Sequence, residues 1–242
     1  MVLEAMKKLS ELLVLNSLIK ECQANFALNL KAGGYLGTRK IDIHDAVNYG
    51  VGVFDPTIKM VGTAIQCIPE LKKVLIPNMY FSLVFPMTTF FGRYYGIQLK
   101  SLAQPRTILT YDYKPYSNYY GNIFGLPVAM PAIWDSKEVV LVEGPIDAMA
   151  VSHIRKDVVA SLTANIMPQT VAMLKRFANV VHIAFDNDDG GRDGTRKVVD
   201  LVVKSGLSVN VIDYSGKDPA AALVANESKF KDAFVRCPTK FL

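Results

Sequence analysis

"HIAFDNDDGGRDGT", residues 182–195, is the stretch on which the fold turns. An apolar run from Val180 to Phe185 stops abruptly at Asp186, Asn187, Asp188 and Asp189, and Gly190, Gly191 and Arg192 follow. The run has the length and β-branched content of a buried strand. The residues after it open a helix expected over Gly191–Ser205, which Gly206 stops. Three carboxylates within four residues repel one another, and a purely structural turn does not require all three.

The same alternation extends on both sides. Val139–Val142 is a short apolar run ending at Glu143 and Gly144. Pro145–Ile154 reads as a helix with proline in its first turn and Ile146, Met149 and Ala150 at helical spacing. Val158–Ala160 is a second strand, Pro168 opens a second helix with Val171, Leu174 and Phe177 on one face, and Ser208–Tyr214 is a fourth strand. Strands and helices in alternation with short links imply right-handed βαβ units and a parallel sheet flanked by helices. By spacing, Met149, Leu174, Val198 and Val202 belong to the core. His153 and His182 have no partner motif and are not expected to be ligands.

Upstream the texture changes. Residues 3–32 look like one helix, and 50–120 are rich in Val, Ile, Phe and Tyr with Gly and Pro punctuation, suggesting mixed or antiparallel strands. Asp135-Ser136 is the expected boundary. The organisation expected is thus a mixed α+β subdomain over 1–136, an α/β domain over 137–226 and a C-terminal tail over 227–242.

The chain has 242 residues, half of them hydrophobic and a fifth charged, enough for a packed globular core. Its formal net charge of +5 is uneven. Residues 1–136 hold 13 Lys and Arg against 9 Asp and Glu, whereas 137–242 hold 14 against 13. A polyanion is therefore a reasonable partner for the first half. Cys22, Cys67 and Cys237 lie far apart with no CxxC pair, which excludes a typical zinc ribbon and argues against a disulfide framework. No apolar run reaches the length of a membrane span, and Glu4, Lys7 and Lys8 at the start do not read as a signal peptide. A cytoplasmic protein without membrane contact is expected.

In a parallel α/β sheet ligands gather at the carboxyl ends of the strands. Glu143 follows one such strand and Asp186 another. Successive residues of an extended chain point to opposite sides, so Asp186 and Asp188 can face the same way. Two carboxylates side by side need a cation or a proton, and Mg²⁺ accepts oxygen ligands while keeping positions open for phosphates. A metal site is the simplest explanation. Helix capping is the competing role, most naturally for Asn187 or Asp189. The glycine patterns of the common nucleotide-binding loops are missing after the first strand, where Glu143-Gly144 stands instead.

Three segments in order, "VVLVEGPIDAMAV" (139–151), "HIAFDNDDGGRDGT" (182–195) and "GKDPAAAL" (216–223), resemble the Toprim domain of bacterial-type primases, topoisomerases, RecR-like proteins and certain nucleases. Its acidic motif matches Glu143, Gly144 and Asp147, its DxD matches Asp186 and Asp188, and the glycine and arginine that follow in primases match Gly191 and Arg192. The upstream half is similar to the catalytic core of bacterial primases through "AGGYLGTRKIDIHDAVNYGVG" (32–52), "VFPMTTFFGRYYGIQLKSL" (84–102) and "YDYKPYSN" (111–118).

That resemblance implies template-directed synthesis of short RNA primers from NTPs on single-stranded DNA, a nucleotidyl transfer using Mg²⁺ or Mn²⁺, two ions and no zinc. Glu143, Asp186 and Asp188 would be catalytic and, with Asp218, would hold the metal. Gly144 and Asp147 would support them. Arg39, Lys40, Arg93, Lys100, Lys114 and Arg192 would meet nucleic acid or nucleotide. The aromatic cluster Tyr111, Tyr113, Tyr116, Tyr119 and Tyr120 could stack bases or pack the core.

The zinc-binding and helicase-docking domains of such primases have no counterpart in this sequence, so template selection and helicase coupling would need a replicative helicase or a separate zinc-binding priming subunit, or be dispensed with. A core alone suits a phage or mobile element, acting in the bacterial host's cytoplasm. The family's second acid after Asp218-Pro219 is Ala221 here, leaving Asp218 or Asp213 to compensate, and a usual glycine is Thr163. A Toprim nuclease and a non-catalytic DNA-binding Toprim protein are the alternatives.

Overall fold

The computed structural model describes residues 2–27, 29–78, 82–102 and 108–236. Cys237 lies outside the described residues. Among the described residues eight strands form two four-stranded sheets. The first contains β1 (Gly52–Phe54), β2 (Ser82–Thr88), β3 (Tyr94–Ser101) and β4 (Ile108–Asp112), antiparallel in the order β1-β2-β3-β4. The second contains β5 (Glu138–Val142), β6 (Val158–Ala160), β7 (Val180–Ala184) and β8 (Ser208–Val211), parallel in the order β6-β5-β7-β8.

The parallel sheet follows directly from its apolar runs. β5 and β7 are central strands covered on both faces, so their sequences are apolar except at Glu138 and His182, which bond each other at 2.9 Å, where a half-exposed strand would alternate. Helices Pro145–Val151, Pro168–Leu174 and Asp189–Lys204 make the crossovers. Met149, Leu174, Val198 and Val202 are all buried, as their spacing requires. The third helix begins two residues before the expected Gly191, because Asp188 caps it: its Oδ1 accepts a hydrogen bond from the Gly191 amide at 2.9 Å. It ends at Lys204, and Gly206, in the left-handed region at φ 76°, turns the chain into β8. Beyond β8, helix Pro219–Ala225 is followed by helix Glu227–Arg236, which sends Phe230 and Phe234 into the core beside Tyr214.

The first half departs further from expectation. Residues 3–32 form two helices, Val2–Phe26 and Leu30–Gly37, where one was expected. Asn29 starts the second by accepting hydrogen bonds from the amides of Lys31 and Ala32, an N-cap that a continuous helix would have to forgo. Val2–Phe26 packs Leu15, Leu18, Ile19 and Cys22 on the antiparallel sheet. The approach at Gly52 is so close that a Cβ there would lie 2.8 Å from that of Cys22. Between β1 and β2 the chain is helical, not extended, at Val61–Cys67 and Lys72–Leu75.

Phe124 joins the halves. Its backbone exchanges hydrogen bonds with Ala160 of β6 at 2.9 and 3.1 Å and also bridges to Met87 of β2. Its ring stacks on Tyr49 and meets Phe85 edge-on. One core cluster consequently runs from Phe26, Leu36 and Phe85 through Phe124 to Val140, Met149 and Phe234. The carboxyl ends of β5 and β7 are left facing β2 and β3 across a cleft.

Candidate active site

Register builds the acidic side of this cleft. Val142 of β5 pairs with Ala184 of β7, so Glu143 and Asp186 emerge at the same edge of the sheet, one residue out of step. They line a cleft of about 360 Å³ together with Asp147 and Asp218. Asp218 caps helix Pro219–Ala225 through the Ala221 amide at 2.6 Å. Asp147 is buried, and its Oδ1 accepts from the Ala220 amide at 3.0 Å, tying the first helix of the parallel domain to the loop that carries Asp218.

Burial and mutual repulsion hold protons on these acids. Glu143 is pushed up to about 7, by desolvation first and then by Asp186 and Asp188. Asp147 rises to about 7 through desolvation and then Asp218. Asp186 rises to about 6 through desolvation, Asp218 and Asp188, although Lys217 and Lys100 pull the other way. Glu143 Oε2 and Asp186 Oδ1 are buried with no hydrogen-bond partner. Unpartnered buried carboxylate oxygens are costly, and a proton or a cation relieves that cost.

Asp188 stands at the edge of this arrangement. It is exposed, it does not line the cleft, and one of its oxygens is taken by the helix cap, which leaves the other free. The capping role expected of Asn187 or Asp189 therefore falls to the second aspartate of the DxD pair. Asn187 instead staples two loops: its side chain donates to the carbonyls of Tyr214 at 3.1 Å and Gly216 at 2.8 Å, and its amide donates to that of Lys217 at 2.7 Å. Gly191 is required by space, since a Cβ there would sit 2.1 Å from the Asp186 carbonyl oxygen.

The opposite wall is basic. Arg39 and Lys100 reach the cleft from the first half, and both cations lie over the ring of Tyr35, at 5.8 and 5.7 Å. Lys217, which the sequence pattern does not single out, lines it from the loop beside Asp218; its one sequence signal is its place in the "GKDP" turn. Gln98 is a second residue with no such signal. Its Nε2 donates to the Leu162 carbonyl at 3.1 Å, supporting a leucine held at φ 64° on the cleft rim, a conformation that costs a non-glycine residue energy.

The other candidate residues lie elsewhere. Lys40 is turned to Glu227 at 3.0 Å, and Lys114 pairs with Asp112 at 3.0 Å. Arg93 is exposed on the β2–β3 turn, at the far end of β3 from Lys100. Arg192 folds back on its own helix end, donating to the Asn187 carbonyl and pairing with Asp189. Asp213 does not line the cleft. His153 faces Asp45 at 3.6 Å, and His182 is buried between Glu138 and Asn210. Tyr113 and Tyr120 are buried and Tyr111 and Tyr116 half-buried, which favours packing for four of the five tyrosines; Tyr119 is exposed.

Among the described residues no group of three or more His, Cys, Asp or Glu is arranged to hold a metal ion. The two orphaned oxygens of Glu143 and Asp186 nevertheless fit a hard cation of the Mg²⁺ class. Such an ion is held by one or two carboxylates and completes its shell with water and substrate phosphate.

Known proteins resemble this chain in sequence and fold. Residues 140–223 match the model of the Toprim-like family. The DNA primase of Clostridium acetobutylicum is 28% identical over 174 residues, 70% of this chain and 28% of that protein. That of Aquifex aeolicus is 26% identical over 197 residues, 75% of this chain and 39% of that protein. The chain spans between 20% and 39% of the length of the curated relatives it matches. Among solved structures, the zinc-binding and RNA polymerase domains of the Aquifex aeolicus primase superpose with a TM-score of 0.80 at 21% identity, covering 96% of this chain and 60% of that one. A primase catalytic domain bound to single-stranded DNA gives 0.77 at 19% identity, covering 96% and 79%. No helix among the described residues is long and apolar enough to cross a membrane. Residues 140–223 thus resemble a Toprim-like domain, and the described chain has the fold seen in the bacterial primase catalytic core.

Proposed function

We propose that the chain is the catalytic core of a DNA primase, synthesising short RNA primers from NTPs on a single-stranded DNA template. The observation that carries this reading is the cleft itself. Buried carboxylates with unpartnered oxygens at the ends of β5 and β7 face Arg39, Lys100 and Lys217 across about 360 Å³. An acidic floor beneath a basic wall suits a cation-bound triphosphate and a nucleic-acid backbone at the same time.

In this reading Glu143, Asp186 and Asp218 would hold Mg²⁺ or Mn²⁺, with the free oxygen of Asp188 as a further ligand. A bound divalent ion, or a pair of them, would neutralise the charge that develops on the α-phosphate. Where Glu143 is not a ligand of the ion, its proton affinity, raised into the neutral range, suits it to take the proton from the attacking 3′-hydroxyl instead. Asp147 positions the Asp218 loop through the Ala220 amide. Arg39, Lys100 and Lys217 contact phosphates, which orients substrate and template without reading sequence. By the same resemblance the protein would work in the cytoplasm, with a replicative helicase or a separate zinc-binding subunit as its protein partner.

Incubation with single-stranded DNA, labelled NTPs and Mg²⁺ or Mn²⁺ tests the reading. Short RNA products support it. Shortened DNA would overturn it in favour of a nuclease, and retention of DNA with no chemistry in favour of a binding module.

A further inference from the structure

At the opposite end of both sheets from the cleft lies a chain of aromatic rings that the fold does not cover. Phe91 is 80% exposed, Trp134 62% and Tyr119 45%. They are not scattered singly. Phe91 touches Phe90 at 4.2 Å between centroids, and Phe90 meets both Tyr120 and Phe177 at 5.7 Å. Phe177 leads to Trp134 at 6.1 Å, and Tyr120 to Tyr119 at 4.8 Å. Four separate segments contribute: the β2–β3 turn, helix Lys114–Tyr120, the end of helix Leu126–Ser136, and the turn before β7.

Cations accompany the rings. Lys137 lies over Trp134 at 5.0 Å and the Arg176 guanidinium over Tyr119 at 5.0 Å. Residues 89–93, 116–120, 134–137 and 175–178 contain Arg93, Lys137, Lys175 and Arg176 against one carboxylate, Asp135, with Lys175 turned to the Ser205 carbonyl at 2.6 Å.

The chemistry that matches exposed ring faces flanked by positive charge is a single nucleic-acid strand, whose bases stack on the rings while its phosphates meet the cations. A duplex keeps its bases stacked on one another and offers the rings nothing. A protein partner fits less well, because lysine is depleted at the centre of protein interfaces, and here Lys137 sits on the largest ring, Trp134. Lys137 and Asn179 lead into β5 and β7, whose other ends bear Glu143 and Asp186. A five-residue strand covers roughly 17 Å, so a strand of a few nucleotides could reach from one end to the other.

We infer that the strip formed by Phe91, Phe90, Phe177, Trp134 and Tyr119 is a stacking platform for single-stranded nucleic acid, holding the strand outside the cleft. The inference deepens the primase reading and rests on it.

Trp134 is the single tryptophan of the chain, so its fluorescence reports on this surface alone. The intact protein is titrated with fluorescein-labelled oligo(dT), following anisotropy and tryptophan emission together, with duplex DNA of equal length as the comparison. The expected result is quenching of Trp134 that saturates with the anisotropy change for oligo(dT) and is absent with duplex. Phe91→Ala, at a ring too exposed to carry the fold, should keep the melting temperature and weaken oligo(dT) binding on the order of 5- to 30-fold. Asp186→Asn should leave the quenching intact.

Binding of oligo(dT) with unchanged emission and full affinity in Phe91→Ala would overturn the platform while leaving the primase reading standing. Absence of oligo(dT) binding would also overturn it, with RNA synthesis measured in parallel deciding the primase reading separately. A blue shift of Trp134 with protein concentration and a doubled mass, without DNA, would overturn it in favour of a second copy covering the strip.

Discussion

Asp147 offers the sharpest test of the electrostatic account. Replacing it with Asn removes the buried charge but keeps an oxygen to accept from the Ala220 amide, now at 3.0 Å. The carboxyl is raised from its ordinary 3.8 to about 7 in the folded state. The folded protein therefore holds a proton that the unfolded chain has already lost, and stability must fall as pH rises from about 4 to about 7 and level off above that. At about 1.4 kcal/mol per pH decade the full penalty is about 4 kcal/mol. Part of the rise comes from the charges of Asp218 and Asp186, and the neutral Asn is expected to recover about 1–3 kcal/mol at pH 8. Urea unfolding of both proteins at pH 5 and pH 8 measures it. The variant should be more stable at pH 8, near parity at pH 5 and flatter between, and saturating Mg²⁺ should narrow the gap by supplying wild type with its missing cation. A variant less stable than wild type at pH 8, or one with the same pH slope, would refute the reasoning.

Three further outcomes follow from the same geometry. Gly191→Ala places a methyl against the Asp186 carbonyl, where the nearest approach would be 2.1 Å, and should cost about 1–3 kcal/mol in thermal unfolding as the loop is pushed aside. Asn187→Ala strips the donor from the carbonyls of Tyr214 and Gly216; the expected loss is about 1–2 kcal/mol, together with weaker Mn²⁺ uptake by titration, since the two metal-bearing loops lose their staple. Lys100→Gln should weaken binding of single-stranded DNA and reduce the slope of log affinity against log salt by about 0.7, the value of one phosphate contact; Lys40→Gln, whose ammonium is engaged by Glu227, should change it little.

Much of the parallel half is legible in the sequence, and the reason is local. β5 and β7 are covered on both faces, so burial imposes mainly apolar runs, and prolines and glycines mark the helix ends where they terminate the pattern. What is not legible depends on tertiary placement. Arg39, Lys40, Arg93, Lys100 and Lys114 are chemically alike in sequence. Only the packing of the Leu30–Gly37 helix and β3 against the parallel sheet brings Arg39 and Lys100 to the acids and turns Lys40 to Glu227. Among Asp186, Asn187, Asp188 and Asp189, each could cap a helix, and the choice of Asp188 is set by where the chain can turn at Gly191. Lys217 enters the cleft only because Asn187 binds the 214–217 loop to the end of β7. Whether an aromatic residue is core or surface is likewise undecidable locally. Phe90 and Phe91 are neighbours, yet one is half-buried and the other exposed.

The central claim is that the acids at the ends of β5 and β7 carry out nucleotidyl transfer. It is tested most directly by comparing wild type with Asp186→Asn and Glu143→Gln for alkali-labile RNA product on single-stranded DNA, at matched oligonucleotide binding. Short RNA is expected from wild type, with a loss of at least about 100-fold in both variants and unchanged affinity for the template. RNA synthesis that survives both substitutions would contradict it.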